Sequence, residues 1–291
     1  MKKLPVAIIK SMRPLHWLKN GFVVMPIIFS KELFVGSAVA TVFTYAFLFS
    51  LASSAVYLFN DIIDVNSDQL HPEKAHRPIA AGELPLAVAA VISLLLAISS
   101  LIGSAYISKE ALAVLSIYLV INLLYSLVVK SVVVLDVIFI ALGFVLRAVG
   151  GALVLNVMPS EWLILCTFLL ALFLGFCKRR QELSLNTETA AGTRKSLENY
   201  TIPFTEALIM ICGACTILSY AIYTLAPATV ERYGKNTLII TIPFVIYGVF
   251  RYISLVLTRG KGDSPSLLLI ADKPLLITVL SWAFTAALII Y

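Results

Sequence analysis

The sequence predicts an all-α, polytopic membrane bundle of about nine transmembrane helices, and three observations carry that expectation. Of 291 residues, 60% are apolar and only 13% charged, against roughly 25% charged in an ordinary soluble domain. The mean hydropathy is +0.97. Stretches 33–60, 84–108 and 207–230 contain no charged residue, and each reaches the roughly 20 residues a helix needs to cross a bilayer. A helix satisfies its own backbone polar groups, which lipid cannot do. The whole chain, 1–291, reads as one membrane-embedded unit with the lipid bilayer as its solvent.

Taken in order, the apolar runs between Pro, Gly and charge interruptions place spans near 15–31, 36–59, 86–107, 111–129, 134–155, 162–179, 204–226, 237–257 and 273–290. Ahead of the first lie Lys2, Lys3, Lys10 and Arg13, with no apolar core and cleavage site of the kind a removable leader carries. The first span is irregular, with Lys19 and Asn20 near its start. Cys166, Cys177, Cys212 and Cys215 fall within spans. They read as packed thiols, since one C-x-x-C pair cannot complete a tetrahedral metal site.

Loop charge sets the orientation. One alternating set of segments holds Lys2, Lys3, Lys10, Arg13, Lys19, Lys74, Arg77, Lys130, Lys178, Arg179, Arg180, Arg194, Lys195, Arg259, Lys261 and Lys273, while the other holds only Lys31, Lys109, Arg232 and Lys235. The positive-inside rule assigns the first set, with the N-terminus and the polar loops, to the cytoplasm of a plasma membrane. The net charge of +6 then follows from topology and requires no nucleic-acid partner.

Two inner loops, 60–83 and 178–199, hold the chemistry. In the first, Asn60-Asp61-Ile62-Ile63-Asp64-Val65-Asn66-Ser67-Asp68 spaces three aspartates at i, i+3 and i+7, on one face of a helix. Carboxylates so crowded repel at a membrane helix end, and Mg²⁺, which takes oxygen ligands together with substrate phosphates, removes the repulsion. A basic run follows, His71-Pro72-Glu73-Lys74-Ala75-His76-Arg77-Pro78, whose lysine and arginine suit phosphate oxygens. The second loop is basic, Lys178-Arg179-Arg180-Gln181-Glu182 and Arg194-Lys195. Within the spans, Arg147 stands eleven positions from Asp136, about 16 Å along a helix, so the two are no local pair. Arg147 is therefore expected to meet another helix, a ligand phosphate or water, and Arg251 to snorkel.

The aspartate run, with His-Pro-x-Lys-x-x-Arg-Pro and Gly82 after it, resembles the first signature of the UbiA prenyltransferase superfamily, and with nine spans the likeness covers essentially the whole chain. That resemblance implies an intramembrane helical bundle using Mg²⁺ to hold a diphosphate. Where prenyl-transferring members carry a second D-x-x-x-D motif, this chain has Lys178-Arg179-Arg180-Gln181-Glu182, which favours an additional anion over a second metal. The departure is similar to the decaprenyl-phosphate phosphoribosyltransferase branch, as are Arg13-Pro14-x-His16-Trp17-x-Lys19-Asn20, Tyr125-Ser126-Leu127-x-x-Lys130 and Arg194-Lys195-Ser196-Leu197-x-x-Tyr200. The resemblance implies transfer of a 5-phosphoribosyl group from phosphoribosyl diphosphate to a polyprenyl phosphate, with diphosphate released. The alternative is transfer of a polyprenyl group from its diphosphate to an aromatic or lipid acceptor. It implies catalytic roles for Asp61, Asp64, Lys74 and Arg77, and metal ligation by Asp61, Asp64 and Asp68. Substrate contacts are implied for Lys19, Asn20, Asn60, Asp68, Tyr125, Lys130, Arg147, Lys178, Arg179, Glu182 and Arg194. A transporter would show internal repeats with broken helices at the midplane, and no such symmetry is present.

Overall fold

The computed structural model describes residues 3–70, 74–186, 197, 199–233, 236–259 and 265–291. After a short helix α1 (Lys3–Met12), eight long helices follow: α2 (Gly36–Ile63), α3 (Leu86–Ile107), α4 (Lys109–Leu127), α5 (Leu135–Val154), α6 (Glu161–Asn186), α7 (Ile202–Leu225), α8 (Ile242–Arg259) and α9 (Lys273–Ile290). Each of the eight coincides with a stretch long and apolar enough to cross a membrane. The expected first span departs from this pattern. It is a 3₁₀ turn, Pro14–Asn20, followed by two four-residue helices, Gly21–Val24 and Pro26–Phe29. Pro14 and Pro26 lack the N–H that a continuous helix would use. Asn20 is buried and spends its amide across the bundle, on Ser50 and Arg147.

This broken segment nonetheless traverses the bundle. At its start Arg13 bonds Asp61 near the C-terminal end of α2. At its finish the Phe29 and Ile27 carbonyls accept from Tyr233 and Tyr291, the latter just past the end of α9. Irregular backbone at membrane depth is tolerated where protein surrounds it. Here α5 comes so close that a Cβ at Gly151 would drive into the Val23 carbonyl. There are thus nine crossings among the described residues, one of them irregular.

Consecutive helices pack as neighbours, and the Pro26–Phe29 helix closes the ring by touching both α9 and α5. Three apolar clusters result, a small one at Ala7, Leu58, Ile79, Leu84 and Ala89 and two larger. Of the larger two, one joins the broken segment, α2, α4 and α5 through Val23, Tyr45, Phe49 and Tyr118; the other joins α6, α7 and α8 through Phe173, Ile209 and Leu255. α3 is poorly covered, with Leu94, Leu95, Ile98 and Ile102 exposed as lipid-facing side chains are. The cysteines are free, Cys177 and Cys212 being buried among apolar neighbours. Arg251 does not snorkel. It pairs at 2.8 Å with Asp272, which also caps α9 by accepting from the Leu275 N–H.

Candidate active site

The helix that begins as α2 breaks at Asp64 (φ −89°, ψ 6°) and resumes as a short turn, Val65–Gln69. That break alters the expected single face of carboxylates. Asp61 and Asp68 converge on one guanidinium: Arg77 Nη1 lies 3.0 Å from Asp61 and 2.6 Å from Asp68. Asp61, nearly fully buried, also receives Arg13 at 2.5 Å. Asp64 turns the other way, to Lys130 Nζ at 2.5 Å. Asn60 accepts from Ser126 on α4. Three carboxylates are thus matched by three cations drawn from the N-terminal segment, the loop after α2 and the loop after α4.

Arg13 is the member of this group that sequence reasoning left out. It precedes a proline with φ 53° and ψ 62°, a left-handed conformation costly for a side chain of its size. Its guanidinium sits 5.0 Å from the centre of the Tyr57 ring. The Arg13-Pro14 pair was legible, but a contact 48 positions away in sequence was not.

Lys74 lies half-buried in a 3₁₀ turn, Lys74–His76, whose first carbonyl accepts from the Arg77 N–H. His16 lies in the 3₁₀ turn Pro14–Asn20, in the chain between Arg13 and Lys19, with Lys178 and Arg77 also within electrostatic reach. Its Nδ1 is buried without a hydrogen-bond partner among the described residues, and its ring meets Tyr57 edge-on. It too went unremarked as a site residue.

Beyond His16 opens a cavity of about 730 Å³ between the broken segment and helices α5 to α9. Its walls are mostly apolar, with Lys19, Lys178 and Arg179 among the lining residues and Arg232 and Trp282 at the opposite end. Lys19 is half-buried and makes no ion pair or hydrogen bond among the described residues.

The basic stretch 178–182 is tamed from within, which corrects the expectation that its bases as a group await an anion. Arg179 is 1% exposed, with Nε 2.7 Å from Asp136 and Nη1 2.5 Å from Glu182. Arg180 pairs with Glu206 at 3.1 Å and donates to the Val256 carbonyl. Lys178 reaches Glu182 at 3.7 Å and faces the cavity. The implied substrate contacts of Arg179 and Glu182 are therefore already taken up by one another. Asn20 is similarly committed to Ser50 and Arg147. Tyr125 is half-buried on α4, while Arg194 and His71 lie outside the described residues.

Arg147 meets other helices, as expected of it, but no carboxylate among the described residues. It donates to Asn20 (2.7 Å), the Gly143 carbonyl (2.8 Å), Tyr118 (2.9 Å) and Ser53 (3.2 Å), and lies over the Tyr118 ring. Asp136, too far along the helix to pair with Arg147, is held by Arg179 and by the Tyr200 hydroxyl at 2.9 Å. Burial and the Asp136 carboxylate push the Tyr200 phenol above the ordinary tyrosine range, so it stays protonated and donates.

The sequence model of the UbiA prenyltransferase family matches residues 22–271. The chain belongs to the UbiA prenyltransferase family. Proteins named decaprenyl-phosphate phosphoribosyltransferase are similar to this UbiA-family chain over all of its length. The one from Corynebacterium glutamicum is 32% identical and 88% covered, and the one from Mycolicibacterium smegmatis is 31% identical and 94% covered. A UbiA homologue from Archaeoglobus fulgidus, bound to GPP and Mg²⁺, superposes with a TM-score of 0.72 at 19% identity, over 98% of this chain and 99% of that one. The fold is therefore that of an integral membrane UbiA-family protein.

The donor set can be weighed for the metal that fold accompanies elsewhere. Asp61, Asp64, Asp68 and Asn60 offer only oxygens near one helix end, which suits Mg²⁺. Among the described residues no three such groups meet at one point, because Arg13, Arg77 and Lys130 draw the carboxylates toward themselves. A metal that arrives with a diphosphate offers those cations anionic oxygens in exchange, so the residues fit the group.

Proposed function

We propose that this chain transfers a 5-phosphoribosyl group from phosphoribosyl diphosphate to a polyprenyl phosphate, releasing diphosphate, with Mg²⁺ required, and does so at the cytoplasmic face. The observation that carries the reading is the division of charge at one end of the bundle. Ahead of His16 in the chain, Arg13 joins a group of carboxylates matched by cations, and after it a cation without a carboxylate among the described residues, Lys19, lines an apolar cavity. The names of relatives at 31–32% identity support it. The orientation is supported by the basic residues Lys10, Arg13, Lys74, Arg77, Lys130 and Lys273, which the fold gathers at this end.

In this reading Asp61, Asp64 and Asp68 hold the metal, which when bound neutralises the diphosphate as it leaves. Arg77, Lys130 and Arg13 turn from the carboxylates to the diphosphate oxygens and, with Lys74, hold the donor's leaving group. Lys19 and Lys178 receive the lipid phosphate at the polar end of the cavity, whose apolar walls take the prenyl tail. The acceptor phosphate is anionic at neutral pH, so no side chain need remove a proton from it.

Purified protein given labelled phosphoribosyl diphosphate, polyprenyl phosphate and Mg²⁺ should yield a labelled lipid. Asp64→Asn should reduce the rate by at least about a hundredfold while leaving elution and thermal stability close to wild type. Labelled lipid formed instead from a prenyl diphosphate and an aromatic acceptor would overturn the phosphoribosyl assignment and leave family membership untouched.

A further inference from the structure

The loop between α4 and α5 carries Lys130 to Asp64, and its last residue is strained. Val134 has φ 68° and ψ −45°, and the Leu135 N–H donates to the Val133 carbonyl at 2.8 Å. An i to i+2 bond closed over a positive φ is the rarer γ-turn, unfavourable for any side chain and worst for a β-branched one. Such a conformation persists only where its surroundings over-determine it.

The restraint comes from 66 positions away. The Tyr200 hydroxyl accepts the Val134 N–H at 2.8 Å and donates its own proton to Asp136 at 2.9 Å. Asp136 is in turn fixed by Arg179 at 2.7 Å. α6 approaches α5 closely enough for that pair because Gly175 faces Val137, where a Cβ would collide with the valine side chain. Tyr200 itself is buried, stacked on Phe204 at the start of α7. One hydroxyl thereby ties the strained turn to the best-buried ion pair among the described residues.

We propose that Tyr200 is a positioning residue for Lys130: its hydroxyl locks the Val134 turn, and the locked turn sets the short loop that carries the Lys130 ammonium to Asp64. The step from loop to catalysis rests on the proposed function, in which Lys130 holds the donor diphosphate. The clamp itself does not.

The test uses Tyr200→Phe, Val134→Gly and their combination in the full-length purified chain. Glycine takes a positive φ without steric cost, so Val134→Gly removes the need for the clamp without touching Asp136 or Arg179. In Tyr200→Phe, hydrogen exchange over 128–136 should quicken about tenfold or more. The kcat/KM for phosphoribosyl diphosphate should fall about tenfold, with KM for polyprenyl phosphate near the wild-type value. Adding Val134→Gly to Tyr200→Phe should recover most of that loss, which no general defect in folding would allow. Wild-type exchange rates in Tyr200→Phe, or a double variant no more active than Tyr200→Phe, would overturn the proposal. Should the wild type show no phosphoribosyl transfer, the functional reading fails, and exchange alone decides the clamp.

Discussion

Arg147 on α5 and Arg179 on α6 are buried alike, 5% and 1% exposed, on adjacent helices. Arg179 has two carboxylates, Asp136 and Glu182, within 2.7 Å. Arg147 has an amide, a carbonyl, two hydroxyls and aromatic faces, and no acid. Neutral hydrogen bonds satisfy a guanidinium's donors without cancelling its charge, and an uncancelled charge in a poorly polarisable interior reaches further than one in water. Arg179 is thus a strut between α5 and α6. Arg147 is a standing positive potential near Lys19, on which it acts more strongly than Arg13 does. Two cations kept together without a carboxylate are expensive unless something anionic visits them.

The sharpest way to break this contrast is to strand the strut. In Asp136→Ala, Arg179 keeps Glu182 but loses its fully buried partner, and Tyr200 loses its acceptor. Removing one side of a buried pair costs about 3–5 kcal/mol. Thermal unfolding in detergent should register it as the largest stability loss of these variants. A stability within about 1 kcal/mol of wild type would mean that Glu182 alone suffices and that the pair is no strut.

Arg147→Met asks the opposite question. It deletes a charge along with four hydrogen bonds, and Asn20, Ser53 and Tyr118 retain other partners among themselves and Ser50. Lost bonds and relieved charge oppose one another, so the net stability change should stay within about 2 kcal/mol, smaller than for Asp136→Ala. Activity should fall about tenfold or more nonetheless, measured as kcat/KM. A variant as unstable as Asp136→Ala would make Arg147 another strut and end the comparison.

Much of this architecture was legible beforehand, and the illegible part has a common cause. Uninterrupted apolar runs marked α2 to α9, because the bilayer demands both length and apolarity from any segment crossing it. The broken crossing was harder to read, since Pro14 and Pro26 are as compatible with helix starts as with breaks. The aspartate run and Arg77 were visible as local spacing. What stayed hidden was which cation meets which anion: Arg13 with Asp61, Lys130 with Asp64 and Arg179 with Asp136 are 48, 66 and 43 positions apart. A count of bases in 178–182 is the same whether they await a phosphate or are already matched by Asp136, Glu182 and Glu206. Only packing decides that. Nor does sequence reveal that Val134 has a positive φ, because the residue type argues against it.

The smallest effect, and the most specific, belongs to Lys19. Unlike Arg179 it strands nothing when removed, for its ammonium has no partner among the described residues, and methionine keeps the apolar stem that lines the cavity. Lys19→Met should therefore unfold at or slightly above the wild-type temperature, the usual result of relieving a cation held near another. Binding should respond in the other direction. A single charge-assisted contact to a phosphate at a part-buried site accounts for about 1.4 kcal/mol, a tenfold change in affinity. KM for polyprenyl phosphate should accordingly rise about tenfold, while KM for phosphoribosyl diphosphate moves little. Were the donor's KM to rise instead, Lys19 would serve the phosphoribosyl side, and the division of charge across His16 would have to be redrawn with the cavity's polar end as part of the donor site.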